Sequence, residues 1–271
     1  MSKSLKDEFP TISDIAYKEY LKHSHVSDVM TSTVLTINPE ASMKEAAKIM
    51  GERHIGSLIV AEKDTPTGIV TERDLLSKVI AVDKDPASVK VKQVMSTHLI
   101  TVKPMDTIKE AAQTMIAQKG RLIVLKEGRA AGIITASDLI KALPKATEKM
   151  IVNDIMTKKV ERVDRETTVD KVAKMMGKKG IGSVLVNDSG KPFGIFTERD
   201  LLTKVLARGL SMESNVDELA STPLVTLPSG SNIHKAALTM VTKHIRRLPI
   251  TKNGEIIGIA TARDLVEAYS K

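Results

Sequence analysis

The segment Gly68-Ile-Val-Thr-Glu-Arg-Asp74 occurs four times along the chain, and this repetition constrains the fold more than any other feature. It returns as Gly132-Ile-Ile-Thr-Ala-Ser-Asp138, Gly194-Ile-Phe-Thr-Glu-Arg-Asp200 and Gly258-Ile-Ala-Thr-Ala-Arg-Asp264. Successive aspartates stand 64, 62 and 64 residues apart. About 44 residues upstream of each lies a second marker: Val29-Met30-Thr31, Val94-Met95-Ser96, Ile155-Met156-Thr157 and a degenerate Leu219-Ala220-Ser221. Copies one and three are most alike, with 68–81 and 194–207 agreeing at 11 of 14 positions. Copies two and four share Gly-Ile-x-Thr-Ala-x-Asp-Leu. This alternation predicts a doubled two-repeat unit, copy one pairing with two and three with four.

Each copy predicts the same order of elements, β-α-β-β-α. A short β-branched run comes first (Val34–Ile37, Leu99–Val102, Val160–Val163, Leu224–Leu227). A helix follows, its apolar residues at i, i+3, i+4, i+7 as in Ile108, Ala111, Ala112 and Met115. Two strands joined by turns such as Asp188-Ser189-Gly190 or Lys252-Asn253-Gly254 come next. A closing helix then begins at Thr-x-x-Asp. The expected fold is therefore α/β of the α+β kind. The divisions are an N-terminal extension at 1–25 and repeats at 26–86, 87–145, 148–210 and 211–271. A lone copy is too small to cover its sheet and helices well, so pairing is required. Ile12–His23 could form one short helix, and Ala142–Lys145 reads as the junction between halves.

Composition removes several classes of function. The 271 residues include no cysteine, which excludes disulfides, thiolate metal sites and a cysteine nucleophile. Three Phe, three Tyr and no Trp leave little to stack on bases, while 13 Met fill gaps in an aliphatic core. The start is charged and lacks a secretory apolar stretch, and no run approaches a membrane span, so the expected location is cytoplasmic with no membrane partner. The net charge of +8 favours anions in general. It is spread over both halves rather than gathered in a stripe, which makes nucleic acid a poor partner. The histidines are isolated, so no metal site is expected. No Gly-x-x-x-x-Gly-Lys-Ser/Thr and no spaced catalytic group occurs, and a non-enzyme is expected.

With both markers in place, the chain resembles the cystathionine beta-synthase (CBS) domain over roughly residues 26–270, in four copies. Four-copy chains of this kind are similar to the gamma subunit of AMP-activated protein kinase and its archaeal relatives. The resemblance implies that two copies form a Bateman module with a cleft, and that two modules can close into a disc with pseudo-four-fold symmetry. It also implies a regulatory ligand that contains adenosine: AMP, ADP or ATP, with Mg where ATP is bound, or S-adenosylmethionine. No obligatory cofactor follows from it. The partner it implies is an unidentified protein regulated in trans, and a homodimer is compatible with it.

Residue by residue, the resemblance places ribose on Asp74, Asp138, Asp200 and Asp264, and ribose or phosphate on Thr71, Thr135, Thr197 and Thr261. The adenine would lie against Thr36, Ile37, Ile55 and Gly56 in copy one and Thr101 and Val102 in copy two. In copies three and four it would lie against Val163, Ile181 and Gly182, and against Thr226 and Leu227. Gly56 and Gly182 would let backbone approach the ring. Phosphates would meet Arg73, Ser137, Arg199 and Arg263 within the motif and Arg121, Arg246 and Arg247 before it. Copy four carries the most positive charge, so the module of copies three and four is expected to take the more phosphorylated ligand. Arg162 replaces the threonine of the other copies and weakens the adenine site of copy three.

Structural alternatives stand beside these assignments. Thr-x-x-Asp is also a capping box that any repeat could use to start a helix. Glu72-Arg73 and Glu198-Arg199 read as solvated neighbours, since adjacent helix residues do not face each other. The functional expectation is an adenine-nucleotide sensor. The alternatives are an S-adenosylmethionine-type sensor, a nucleic-acid-associated regulator, and a scaffold with vestigial sites.

Overall fold

A computed structural model describes residues 25–63, 65–142 and 150–270. The helix expected at Ile12–His23 and most of the junction at 142–145 lie outside the described residues. Each copy builds a three-stranded sheet whose first strand runs parallel to the second, and whose second and third form an antiparallel hairpin. In copy one these strands are β1 (Thr36–Ile37), β2 (Ser57–Glu62) and β3 (Thr65–Thr71). Copy two has β4 (Thr101–Val102), β5 (Leu122–Lys126) and β6 (Arg129–Ile134). Copy three has β7 (Arg162–Asp164), β8 (Ser183–Asp188) and β9 (Lys191–Thr197), and copy four β10 (Leu227–Pro228), β11 (Arg247–Lys252) and β12 (Glu255–Thr261). The hairpin turns Glu127-Gly128, Ser189-Gly190 and Asn253-Gly254 place both central residues at positive φ, which matches the twist of the flanking strands.

The first strands are shorter than the sequence predicts. Only two or three residues pair in each copy, and in copies one and three the stretch just upstream lines a cleft. Before β1 the ladder ends with Ile59 N–H donating to the Leu35 carbonyl at 3.1 Å.

The two sequence markers meet crosswise, and this is what pairs the copies. The Met-Ser segment of copy two bridges β3 of copy one (Ile69↔Ser96), and the Met-Thr segment of copy one bridges β6 of copy two (Thr31↔Ile133). Ile195↔Ser221 and Thr157↔Ile259 repeat this in copies three and four. The motif glycine is required by this approach. A Cβ on Gly68 would come within 2.8 Å of Met95 Sδ and 2.9 Å of the Ser96 carbonyl.

The helices then join the two modules. One core cluster is built mainly from copies one and three and takes in Val89, Val91, Val94, Val216 and Leu219, while the other is built mainly from copies two and four and takes in Val26 and Val152. Sheet contacts 1–2 and 3–4 alternate with helix contacts 1–3 and 2–4, so the four copies close into a ring. The 1–3 seam is the tighter. Gly51, in the helix Met43–Glu52, faces Leu202 and Ala207, and Gly177, in Val169–Lys179, faces Leu76 and Ala81. A Cβ at either glycine would lie 2.7 Å from a backbone carbonyl of the opposite copy. Gly51→Val with Gly177→Val is therefore expected to destabilise by at least the roughly 1–3 kcal/mol of an overpacked contact per site. A denaturant midpoint equal to the parent would contradict this.

Among the described residues, no helix is long and apolar enough to cross a membrane.

Candidate functional site

All four Thr–Asp pairs form capping boxes. Thr71 donates its hydroxyl to Asp74 Oδ2 at 2.6 Å and its backbone N–H to the same oxygen at 2.9 Å. The corresponding distances are 2.7 and 3.0 Å for Thr135 and Asp138, 2.6 and 2.9 Å for Thr197 and Asp200, and 2.8 and 2.8 Å for Thr261 and Asp264. A carboxylate oxygen has two lone pairs, so Oδ2 is fully used within the fold. Only Oδ1 remains for a ligand. In copies one, three and four the threonine oxygen also accepts the Asp N–H, at 3.2, 3.2 and 3.3 Å. In copy two the Asp138 N–H lies 3.0 Å from the Thr135 carbonyl.

Two cavities lie between the copies. The first, about 270 Å³, is walled by Thr33–Leu35 and Ile55–Ser57 of copy one and by Thr135, Ser137 and Asp138 of copy two. Arg199 of copy three and His244–Arg246 of copy four close it. The second, about 610 Å³, lies between Lys159–Glu161, Ile181 and Gly182 of copy three and Thr261 and Arg263 of copy four, and reaches Thr71 and Arg73 of copy one. Arg121, Thr135, Ser137 and Arg246 line both.

The residues singled out from sequence divide accordingly. Ile55, Gly56, Arg121, Thr135, Ser137, Asp138, Arg199 and Arg246 gather at the first cavity, while Thr71, Arg73, Ile181, Gly182, Arg247, Thr261 and Arg263 line the second. Asp74, Asp200, Asp264 and Thr197 line neither. Ile37, Val102 and Leu227 are core residues, and Val163 packs against the core. Thr36, Thr101 and Thr226 are exposed. The pleat explains this split: neighbours on a strand face opposite ways, and here neither way is the cleft. Arg162 donates to the Ile256 carbonyl at 3.0 Å, tying copy three to copy four rather than occupying a cleft.

Glu72 and Glu198 are not solvated. They are 5% and 4% exposed and sit where the copies converge. Arg121 pairs with Glu72 at 3.4 Å and Arg247 with Glu198 at 2.8 Å. Glu198 also holds Arg73 at 3.0 Å, whereas Glu72 holds Arg246 at 3.2 Å. Gly56 and Gly182 serve these pairs. A Cβ on Gly56 would lie 2.8 Å from both Arg121 and Glu72, and one on Gly182 would overlap Arg247. The space expected for a ring belongs to a guanidinium and its carboxylate.

Five guanidiniums (Arg73, Arg121, Arg199, Arg246, Arg247) thus surround two carboxylates, a formal excess of three positive charges. Burial pushes the Glu72 carboxyl up, but Arg246, Arg121, Arg247 and Arg199 outweigh it and hold the pKa below the ordinary value. Burial lowers the pKa of Arg121, and burial together with the charge of Arg246 lowers that of Arg199. Arg199 has no carboxylate partner among the described residues. Ser137 Oγ and Glu72 Oε2 are buried without hydrogen-bond partners, and the buried Arg246 Nη2 has its ion pair with Glu72 but no hydrogen bond. Arg246 corrects a sequence expectation, because a residue of copy four lines the cavity between copies one and two. Charge counted module by module therefore does not rank the sites.

Sequence alone reads Glu72 and Glu198 as solvated neighbours and His54 and His244 as isolated, and gives none of them a place in a site. The signal for the glutamates is Glu in copies one and three where copies two and four have Ala136 and Ala262.

Comparison with known proteins follows the same division of the chain. The family model described as CBS domain matches residues 26–81, 91–145, 152–207 and 216–271. An uncharacterized 33.4 kDa protein in the ribosomal RNA operon of Thermofilum pendens is 33% identical over 197 residues, covering 67% of this chain and 64% of its own. An uncharacterized protein of Methanocaldococcus jannaschii is 28% identical over 263 residues, covering 89% of this chain and 61% of its own. The chain thus spans less than two thirds of the length of these curated relatives. A solved structure from Methanocaldococcus jannaschii, described as a candidate archaeal homologue of g-AMPK, superposes with a TM-score of 0.76 at 23% identity. It covers 91% of this chain and 100% of its own, and at that identity the likeness shows the fold alone.

Proposed function

The chain belongs to the CBS-domain family, and from that premise we propose that it is a non-catalytic regulatory protein that binds adenine nucleotides at the centre of its ring. The observation that carries this reading is Arg199, without a carboxylate partner among the described residues, beside the unpartnered Ser137 Oγ in the cavity of about 270 Å³. Buried charge without a partner is costly, and a bound anion would relieve it. Planar guanidiniums match phosphate oxygens. Asp138 lines the same cavity, and its Oδ1, which Lys141 approaches at 3.3 Å, is the oxygen left for ribose hydroxyls, while Val34, Leu35 and Ile55 supply an apolar wall. A nucleoside phosphate carries these three chemistries. S-adenosylmethionine is cationic at sulfur and would face the arginines unfavourably, so the charge favours nucleotides over it.

Binding would act as a switch through differential affinity, since the cavity is shared by all four copies and a ligand favours the arrangement that completes it. The regulated partner is then a separate protein that contacts the ring. The test is calorimetry on the full chain with adenosine, AMP, ADP and ATP, together with mass spectrometry of small molecules that co-purify. Tightening from adenosine to the phosphorylated ligands is expected. No binding of any of the four, and no co-purified nucleotide, would refute the reading.

A further inference from the structure

We propose that copies one and three are closed to ribose by their own lysines, Lys78 and Lys204, so that the chain takes up nucleotide only through Asp138 and Asp264, one per module. This rests on the nucleotide reading above and specifies which copies perform it.

The four aspartates differ only at Oδ1, the oxygen left over by the capping box. In copy three, Lys204 Nζ lies 2.8 Å from Asp200 Oδ1, and Ser221 donates to the same oxygen at 2.9 Å. All four lone-pair positions of that carboxylate are then filled from within the protein. Lys204 is itself held by the Leu219 carbonyl at 2.8 Å and Ser221 Oγ at 3.1 Å, so its three protons are committed. In copy one, Lys78 Nζ lies 2.7 Å from Asp74 Oδ1 and donates to the Val94 carbonyl at 2.6 Å. Both carbonyls belong to the marker segment of the neighbouring copy. Each lysine therefore spans a module and gives up a part-buried acceptor if it leaves.

Copies two and four lack this arrangement. Their residues at the corresponding position, four after the aspartate, are Ala142 and Ala268. Lys141 approaches Asp138 Oδ1 from three residues on, at 3.3 Å, and has no second acceptor among the described residues. It lines the first cavity and is free to turn toward a phosphate there. No cation pairs with Asp264 among the described residues, and burial raises its pKa. A ribose cis-diol offers two hydroxyl donors and needs two acceptor positions. Asp264 supplies both, and Asp138 does so once Lys141 turns. Asp74 has one left, and Asp200 has none. Asp138 lines the first cavity; Asp264 lines neither, and its neighbours Thr261 and Arg263 line the second together with Thr71 and Arg73, so it is the lysines that separate copy four from copy one.

The experiment is native mass spectrometry of the full chain titrated with ATP, comparing the parent with Lys78→Met, Lys204→Met and the double variant. Methionine keeps the length of the stem and removes the ammonium. Two ATP per chain in the parent, rising above two in the double variant, is the expected result. Two in both would show that the lysines close nothing, and three or four in the parent would show that those copies are open. Either outcome overturns the proposal while leaving the nucleotide reading intact. No ATP on any form overturns both. If the double variant fails to fold, Lys78→Arg and Lys204→Arg, which keep the charge, are expected to stay at two, and the parent count still decides.

Discussion

Replacing Glu72 with alanine is expected to destabilise the protein by about 3–5 kcal/mol, the range for removing one partner of a buried ion pair. Glu72 is 5% exposed and faces Arg121 at 3.4 Å and Arg246 at 3.2 Å, with Arg199 and Arg247 near enough to lower its pKa. Its loss would raise the central excess from three positive charges to four and leave Arg121 without a carboxylate. Because the folded-state pKa lies below the unfolded one, the contribution of Glu72 is complete above about pH 4.3. It is lost as pH falls through the folded value. Destabilisation measured by urea at pH 7 should therefore shrink when the titration is repeated in acid. ATP, if it supplies the missing negative charge, should restore part of the loss. A change below about 1 kcal/mol at pH 7 would mean that water already solvates the cluster.

The path from sequence to this cluster shows what a single chain reveals. The repeats, the β-α-β-β-α order and the hairpin turns were legible because each depends on neighbours in sequence. So was the 1–2 and 3–4 pairing, since the Gly-Ile and Met-Thr markers that meet crosswise are themselves the conspicuous motifs. The central ion pairs were not. Glu72 meets arginines of copies two and four, and Glu198 meets Arg73 at a separation of 125 residues. Such burial depends on which copies face each other across the ring, and adjacency in sequence carries no sign of it. The tight seam lies between these cases. Glycine at 51 and 177, where copies two and four have Ile116 and Val241, is visible in the alternation but acquires meaning only when copies one and three are seen to touch. Of the candidate adenine residues, Ile55 and Gly56 line the first cavity and Ile181 and Gly182 the second, whereas Thr36 and Ile37 do not, because β1 begins there and Thr33–Leu35 precede it in the wall.

The Arg199→Ala, Arg246→Ala double variant is expected to weaken ATP binding by about a hundredfold or more while changing adenosine binding only slightly. Hydrogen bonds to charged groups contribute roughly 1.5–3 kcal/mol each, so two lost guanidinium contacts total at least about 3 kcal/mol. That corresponds to slightly more than two factors of ten in affinity. The single variants should differ in kind. Arg199 has no carboxylate partner among the described residues, so Arg199→Ala should cost ATP affinity with little loss of stability. Arg246 also holds Glu72, so Arg246→Ala should lower both, and the freed carboxylate would repel phosphate in addition. Arg199→Lys separates charge from geometry: a compact ammonium retains attraction but loses the planar fork, and an intermediate affinity is expected. Calorimetry on the full chain with ATP and adenosine gives the comparison directly, and it must use the full chain because Arg199 and Arg246 reach a cavity between copies one and two. Equal losses for the two ligands would mean that these arginines shape the cavity rather than bind phosphate. The central excess of positive charge would then need another anion to explain it.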